Sequence, residues 1–253
     1  MASTELLPDL PKIGLVFPRS DITRDAFKWS KEHTTATVYN HAVRSAYFAL
    51  IIAKKTPTFK DVDLELVVLS CVLHDLGWAT TKSLVSDDKR FEVDGANIAR
   101  DYIRDHAHGP ENWDAARVQQ VWYSIALHTE PSIAQHATPE VALTNLGIRT
   151  DLMPPGIPNG PPVTAEEYDA VVAAFPRPAT FKEEFTQIMC GLCRDKPATT
   201  YHNFVGGFGR EYGLDGQGKG KEEYAAAWKE NQVVNFLSMG LNGIAAYEGH
   251  KDA

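Results

Sequence analysis

Apolar residues recur along most of the chain at intervals of three and four, which is the spacing of one helix face. Between residues 34 and 55 this inward face carries six positions: Val38, His41, Ala42, Ser45, Ala49 and Ile52. Residues 61–75, DVDLELVVLSCVLHD, are apolar nearly all round, which is typical of a buried central helix. We expect Asp61 to cap the start of this helix and Gly77 to lie at its end.

Further segments show the same helical spacing. They cover residues 94–106, 112–128, 139–152, 164–174, 181–193 and 222–239. Asp94 is the expected N-cap of the first of these, and Thr164 with Glu167 forms a capping box at the start of the fourth. Strand-like alternation is nearly absent and we find no internal repeat, so we predict an all-α protein.

Residues 152–163, LMPPGIPNGPPV, contain five prolines and two glycines, a composition that no regular element tolerates. Because only another series of helices follows, we interpret this segment as a surface excursion within one domain. The prediction is a single domain over residues 1–253. Its helical core lies at about 31–152, and a C-terminal helical extension covers about 163–247.

Composition narrows the functional class. The chain of 253 residues has 33 acidic and 25 basic side chains, and this net charge of -8 argues against nucleic-acid or anionic-membrane binding. No segment approaches the roughly 20 apolar residues of a membrane span, and the first residues do not resemble a signal peptide. Three cysteines, Cys71, Cys190 and Cys193, are too few for a secreted disulfide scaffold. We therefore expect a cytoplasmic protein.

Five ionisable side chains fall on helix faces that should be apolar. They are His41, His74, Asp75, His128 and Asp151. A single inward histidine is usually a hydrogen-bonded core residue, and an aspartate at a helix end is usually a cap. Five such groups on four helices need one explanation, because an unpaired buried charge costs several kcal/mol. A divalent metal would pair the carboxylates and take the neutral imidazoles as ligands.

The order of a histidine, a His-Asp pair and a distant aspartate resembles the HD-domain superfamily of metal-dependent helical proteins. The resemblance covers about residues 31–152 and implies that one metal is ligated by His41, His74, Asp75 and Asp151. Within that superfamily the chain is most similar to the cyanamide hydratases, which convert cyanamide to urea. The stretches that carry this likeness are residues 17–48, 71–100, 126–143 and 196–209.

The resemblance implies a hydratase with one zinc ion per chain, with iron or manganese as alternatives, and a small neutral nitrile as substrate. Zinc lowers the pKa of bound water to about 7, so metal-bound hydroxide would attack the nitrile carbon. Asp75 and His128 are the expected catalytic residues, with His128 orienting the water or protonating the nitrile nitrogen. Glu92, Asn97 and Trp78 are expected to contact the substrate.

The main alternative is an HD-type phosphohydrolase that acts on nucleotides. Phosphoryl transfer needs cationic groups, and many of these enzymes follow His-Asp with a short stretch ending in Lys or Arg. Here Trp78 stands where that charge could lie, although Arg100, Arg104 and Arg149 are available as phosphate contacts. A hydratase of another nitrile or isonitrile, or a non-catalytic protein that keeps its metal for stability, also fits the pattern.

Three further features concern a second metal, the cysteine pair and the oligomeric state. A second metal would need extra histidines between the His-Asp pair and Asp151, where His106, His108 and His128 lie. We interpret His106 and His108 as exposed histidines near a helix end. The pair Cys190 and Cys193 lacks a second ligand pair nearby, so core thiols are the better interpretation. We expect a homo-oligomer, with contacts from the region 204–208 and from the helix at 222–239.

Overall fold

The computed structural model describes residues 9–249. The chain forms two compact units, and the boundary between them in the sequence falls between Pro178 and Ala179. The helices of the first unit are α1 (Asp21–His33), α2 (Ala36–Lys55), α3 (Leu64–Leu73), α4 (Phe91–Asp105), α5 (Gly109–Asn112), α6 (Ala115–Ala126), α7 (Pro131–Ala134), α8 (Pro139–Asp151) and α9 (Ala165–Ala174). Those of the second unit are α10 (Phe181–Asp195), α11 (Val205–Tyr212), α12 (Lys221–Glu230) and α13 (Val233–Gly249). Within residues 9–249 no β-strand forms, which confirms the all-α prediction.

Helix α3 is the centre of the first unit, and its residues from Leu66 to Leu73 are all buried. Helices α2, α6 and α8 pack against α3, and α8 also lies along α2. Gly147 permits this second contact, because a Cβ at that position would lie 2.6 Å from the backbone oxygen of Ser45. Asp151 follows Gly147 by one helical turn, so the close approach also brings Asp151 near α2.

The predicted N-cap of the central helix was wrong by two residues. Asp63 caps α3, and its carboxylate accepts a hydrogen bond from the backbone N–H of Leu66 at 3.0 Å. Arg117 of α6 donates to the same carboxylate at 2.6 and 3.0 Å. Asp61 is exposed. The ion pair with Arg117 of α6 therefore favours Asp63 over Asp61 as the helix cap, whereas the local sequence does not distinguish the two aspartates.

Helix α3 ends at Leu73 and continues as a 3-10 turn over His74–Trp78. Within this turn Asp75 has a non-helical backbone, with φ -96° and ψ 16°. Gly77 lies at the end of the helix as expected, but it does not adopt the left-handed conformation of a helix cap. A Cβ on Gly77 would instead lie 2.0 Å from the backbone oxygen of Phe91, so the glycine lets α4 begin directly against the turn.

Helix α4 begins at Phe91, and the prediction that Asp94 is its N-cap was wrong. The Asp94 carboxylate accepts hydrogen bonds from the backbone N–H of Ser86 at 3.2 Å and from the Ser86 hydroxyl at 2.7 Å. It therefore orders the loop that precedes α4 instead of capping the helix.

The other helix boundaries of the first unit agree in part with the boundaries predicted from the sequence. The capping box of Thr164 and Glu167 is confirmed at the start of α9, and residues 152–163 form no helix. The helix predicted at 112–128 is shorter, because Asp114 caps α6. Helix α1 was missed, although Ser20 caps it.

One helix predicted in the second unit was wrong. Residues 222–239 do not form a single helix, because α12 ends at Glu230 and α13 begins at Val233. Gln232 lies in the break, and its side chain donates to the backbone oxygens of Tyr201 and Trp228 at 3.1 and 2.7 Å. These hydrogen bonds hold Gln232 in a non-helical position between α12 and α13.

All three cysteines are free and buried, which agrees with the interpretation of core thiols. Across residues 9–249, no helix combines the length and the apolar character that a membrane span requires. The single domain over residues 1–253 stays a prediction.

The packing of α4 on the 3-10 turn can be tested at Gly95, where a Cβ would lie 2.4 Å from the backbone oxygen of His74. In an unobstructed helix, replacing glycine by alanine stabilises by about 0.5–1 kcal/mol. We expect Gly95→Ala to do the opposite and to lower the free energy of unfolding in urea by about 1–3 kcal/mol. Gly207→Ala in α11 is the control, because a Cβ there meets nothing within 4 Å. Equal stability of Gly95→Ala and wild type would contradict the close packing.

Candidate metal centre

Three histidines and one aspartate converge in the interior of the first unit. His41 lies in α2, His74 and Asp75 lie in the turn after α3, and His128 follows α6. Their exposed fractions are only 1–4%, so they are shielded from bulk water. His41, His74 and Asp75 each present one potential ligand atom, and these atoms lie within 4.8 Å of one another.

Neither carboxylate oxygen of Asp75 has a hydrogen-bond partner in the described part of the chain. Three imidazole nitrogens face it instead. Nε2 of His74 and Nε2 of His41 lie 3.0 and 3.7 Å from Oδ2, and Nε2 of His128 lies 3.9 Å from Oδ1. The shortest of these contacts lacks hydrogen-bond geometry. A buried carboxylate without donors is costly, so this arrangement calls for a cation.

The opposite ring nitrogens of two histidines are held by backbone carbonyls. Nδ1 of His74 donates to the oxygen of Cys71 at 2.6 Å, and Nδ1 of His128 donates to the oxygen of Ile125 at 2.6 Å. With the ring hydrogen on Nδ1, the lone pair of each neutral imidazole is on Nε2 and points towards Asp75. Histidines that ligate metals are almost always oriented in this way.

The ionisation of the cluster also fits a cation. Burial, with a contribution from His74, lowers the pKa of His128 to about 4, so this ring is neutral at pH 7. Neutral imidazoles and an ionised carboxylate are the forms in which these side chains bind a divalent metal. The residues present therefore fit such an ion.

Asp151, the fourth expected ligand, is hydrogen-bonded to Nδ1 of His41, whereas Nε2 of the same ring faces Asp75. Its Oδ2 lies 2.6 Å from Nδ1 of His41. Arg44 donates to both carboxylate oxygens, at 2.7 and 2.8 Å, and Arg177 donates to Oδ1 at 2.7 Å. Burial opposes ionisation, yet the hydrogen bonds from His41 and Arg44 hold the pKa of Asp151 far below its ordinary value. Asp151 thus orients the His41 ring, and its ligation of the metal stays a prediction.

The two arginines on Asp151 were missed in the sequence. Arg44 is fully buried, and its Nη1 also donates to the backbone oxygen of Phe175 at 3.0 Å. A signal was present, because Arg44 follows His41 by three residues and so shares its inward helix face. Arg177 offered no such signal, since it lies in an irregular segment that only the fold brings to Asp151.

Glu92, an expected substrate contact, is buried beside the cluster in a hydrogen-bonded network. Its Oε1 accepts from Nη2 of Arg90 and from the hydroxyl of Thr129, both at 2.7 Å. Arg90 also donates to Glu130 at 2.8 Å. The positive charge of Arg90 is therefore shared between two carboxylates.

The other two expected substrate contacts differ in their surroundings. The Trp78 ring packs against Phe91 with a centroid distance of 4.8 Å, and Phe91 lies 5.6 Å from the ring of His128. These rings form an aromatic wall that ends at the cluster. The side-chain oxygen of Asn97 accepts a hydrogen bond from the indole of Trp122 at 3.0 Å and so ties α4 to α6.

Two of the histidines considered for a second metal lie against α1. Nε2 of His106 is 3.2 Å from Asp25, and Nε2 of His108 is 3.6 Å from Asp21. Within residues 9–249, the group of side chains spaced for a metal ion includes neither of them.

The cluster predicts a loss of metal when the Asp75 charge is removed. We expect Asp75→Asn to lower the bound metal from about one ion per chain to near zero, measured by mass spectrometry of the purified protein. Asp94→Asn is the matched control, because Asp94 is a buried carboxylate bonded to Ser86.

The same loss should appear as a change in stability. A ligand at 1,000 times its Kd stabilises by about 4 kcal/mol, so chelation should lower the wild-type Tm by roughly 10 °C. The chelator should leave the Tm of Asp75→Asn unchanged. Full metal content in Asp75→Asn would contradict the proposed centre.

Comparisons with known proteins agree with this geometry. Residues 38–156 match the family model of the HD domain, a range that includes His41, His74, Asp75 and Asp151. The chain is also similar to the cyanamide hydratases DDI2 and DDI3 of Saccharomyces cerevisiae. With each it is 27% identical over 149 residues, which cover 56% of this chain and 64% of the relative.

The chain thus spans less than two thirds of the length of these relatives. The HD domain was expected from the order of the histidines and aspartates, and the likeness to the hydratases was expected from the longer stretches at residues 17–48, 71–100, 126–143 and 196–209. The chain is thus similar to the HD domain family over residues 38–156 and to the cyanamide hydratases.

Proposed function

We propose that this protein is a zinc-dependent hydratase that adds water to the nitrile carbon of cyanamide to give urea. The proposal is supported by the buried cluster of potential metal ligands around Asp75 and by the similarity to the yeast cyanamide hydratases. His41, His74 and Asp75 would hold the ion, with Asp151 as the proposed fourth ligand. A zinc ion held there would lower the pKa of a water from about 15.7 to about 7 and so supply the nucleophile at neutral pH.

The observation that carries this proposal is the pairing of the arginines beside the cluster. Arg44 and Arg177 both bind Asp151, and Arg90 binds Glu92 and Glu130. Each of these arginines therefore already donates to at least one carboxylate. Phosphoryl transfer requires cationic groups that face the transferred oxygens, whereas a neutral nitrile requires none. The charge distribution thus favours hydration over phosphohydrolysis.

His128 is suited to move the protons that hydration requires. Water adds its oxygen to the nitrile carbon, and both of its protons must reach the nitrile nitrogen, which becomes an amino group of urea. The first transfer gives isourea, and the second converts isourea to urea. The neutral His128 ring has its lone pair on Nε2, because Nδ1 is bonded to Ile125. It can accept a proton from the oxygen and deliver it to the nitrogen, once for each of the two transfers. The low pKa of about 4 keeps the ring in the accepting form at neutral pH.

The surroundings of the cluster suit a small, linear substrate. Phe91 and Trp78 would exclude bulk water on one side and contact the nitrile. Glu92 is held rigidly by Arg90 and Thr129, and its carboxylate would accept a hydrogen bond from the amino group of cyanamide. The bond between Asn97 and Trp122 supports a packing role for Asn97 beside its proposed substrate contact.

The proposal predicts urea formation from cyanamide by zinc-loaded protein, and its loss in Asp75→Ala. Asp94→Ala is the control for loss of a buried carboxylate outside the cluster. The same preparations should release no phosphate from a panel of nucleotides. Phosphate release without urea formation would overturn the proposal in favour of an HD-type phosphohydrolase.

A second prediction separates proton transfer from metal binding. We expect His128→Gln to retain its zinc and to lower kcat for cyanamide by about 10²–10⁴-fold, because general acid–base catalysis contributes about that much. His106→Gln, which alters a histidine paired with Asp25 beside α1, should leave kcat unchanged. Zinc-loaded His128→Gln with the wild-type kcat would exclude His128 from the proton transfer.

A further inference from the structure

A cavity of about 530 Å³ lies beside α8 in the first unit, and we refer to it as the α8 cavity. The end of α2 contributes Ile52 to its wall, the turn after α2 contributes Phe59, and residues 153–162 cover another side. No member of the cluster around Asp75 lines it. Its volume falls within the roughly 300–1,000 Å³ that is usual for a small-molecule site, so the α8 cavity is large enough for a ligand of its own.

The segment 152–163, rich in proline and glycine, acquires a structural role at this cavity. Met153 and Ile157 lie in the wall. The backbone N–H of Gly160 donates to the oxygen of Ile157 at 3.0 Å, and Asn159 adopts the left-handed conformation with φ 59°. Asparagine tolerates this conformation better than most residues, so the local sequence favours the turn. The segment therefore forms a shaped wall of the α8 cavity.

Arg149 brings a positive charge into this apolar wall. Ala142, Leu146 and Arg149 follow one another at intervals of four and three residues, so they share the face of α8 that lines the cavity. Asp151 comes two residues after Arg149, and two helical positions differ in direction by about 200°. The Arg149 side chain therefore faces the α8 cavity and leaves the helix on the side opposite Asp151.

The guanidinium of Arg149 has no hydrogen-bond or ion-pair partner among the described residues. It differs in this from Arg44, Arg90 and Arg177, which all donate to carboxylates. Arg149 is partly buried, and no Asp or Glu occurs among the described residues that line the cavity. Because a partly buried charge without a counter-ion is unfavourable, the α8 cavity suits a ligand that brings a negative charge.

The walls of the cavity narrow the class of anion. A guanidinium matches a carboxylate in planar, bidentate geometry. A phosphate monoester carries close to two negative charges and would need a second cation, whereas Arg149 is the one cation among the described lining residues. The large side chains around it are apolar: Ile52, Phe59, Leu146 and Met153. The matching ligand therefore has a single carboxylate and an apolar body.

We propose that the α8 cavity binds a small organic monocarboxylate. Its carboxylate pairs with Arg149, and its apolar body lies between Phe59 and residues 153–162. Cyanamide is neutral and has no apolar body, so this ligand is chemically distinct from the substrate of the proposed hydratase. Binding at the α8 cavity requires neither the hydratase activity nor the metal.

Isothermal titration calorimetry of the metal-loaded full chain with octanoate tests this site. We expect wild type to bind one octanoate per chain with a Kd below about 1 mM. Arg149→Met keeps an unbranched side chain but removes the charge. It should raise the Kd for octanoate about 10-fold or more, because a hydrogen bond to a charged group is worth at least that factor.

Two controls separate the charge from the apolar contact. Octan-1-ol has the same alkyl chain without the carboxylate, so wild type and Arg149→Met should bind it with equal Kd. Arg104→Met removes an exposed arginine that pairs with Asp101 and lies outside the α8 cavity, so it should leave the Kd for octanoate unchanged.

A carboxylate can also coordinate a metal ion, so Asp75→Asn distinguishes the two sites. This variant, expected to lack metal, should bind octanoate with the wild-type Kd, and chelator-treated wild type should do the same. Binding that is lost in both metal-free samples and retained in Arg149→Met would place octanoate at the metal and overturn the proposal. Wild type without saturable octanoate binding would also overturn it, as would an unchanged Kd in Arg149→Met.

Discussion

Asp75 is a buried carboxylate that receives no hydrogen bond within residues 9–249, and three imidazole lone pairs point towards it. Such a group of acceptors without a donor costs several kcal/mol unless a cation lies among them. The fold nevertheless holds Asp75 in place by local geometry. Helix α3 ends directly before it, the 3-10 turn redirects its backbone, and glycines let α4 close over the turn.

The acids around Asp75 differ from it in the hydrogen bonds that they accept. Asp151 accepts hydrogen bonds from Arg44 and Arg177, and Glu92 accepts hydrogen bonds from Arg90. Each of these carboxylates is satisfied by donors within the chain. Asp75 is not, although it is as deeply buried. This difference is a stronger argument for a metal than the number of acidic groups in the region.

Helical periodicity was sufficient to place His41 and His128 on inward faces and to predict a buried helix within residues 61–75, which the structure has at Leu64–Leu73. It was sufficient because the spacing of a helix is a local property of the chain. The choice between Asp61 and Asp63 as a cap was not local, since Arg117 decides it from another helix.

The bond between Arg44 and Asp151 joins residues 107 positions apart, so no local pattern could reveal it. The break between α12 and α13 was also missed, because Gln232 binds the backbone oxygen of Tyr201, 31 residues earlier. The sequence thus reveals which side chains face inward, and the fold determines which of them are already paired.

X-ray absorption at the zinc edge of the metal-loaded protein tests the central claim most directly. The account predicts a shell of nitrogen and oxygen ligands at about 2.0–2.2 Å with the signature of imidazole, reduced in Asp75→Asn. A zinc–sulfur distance near 2.3 Å would contradict it, because the cysteines lie outside the cluster. A shell without imidazole would show that the histidines around Asp75 do not hold the ion.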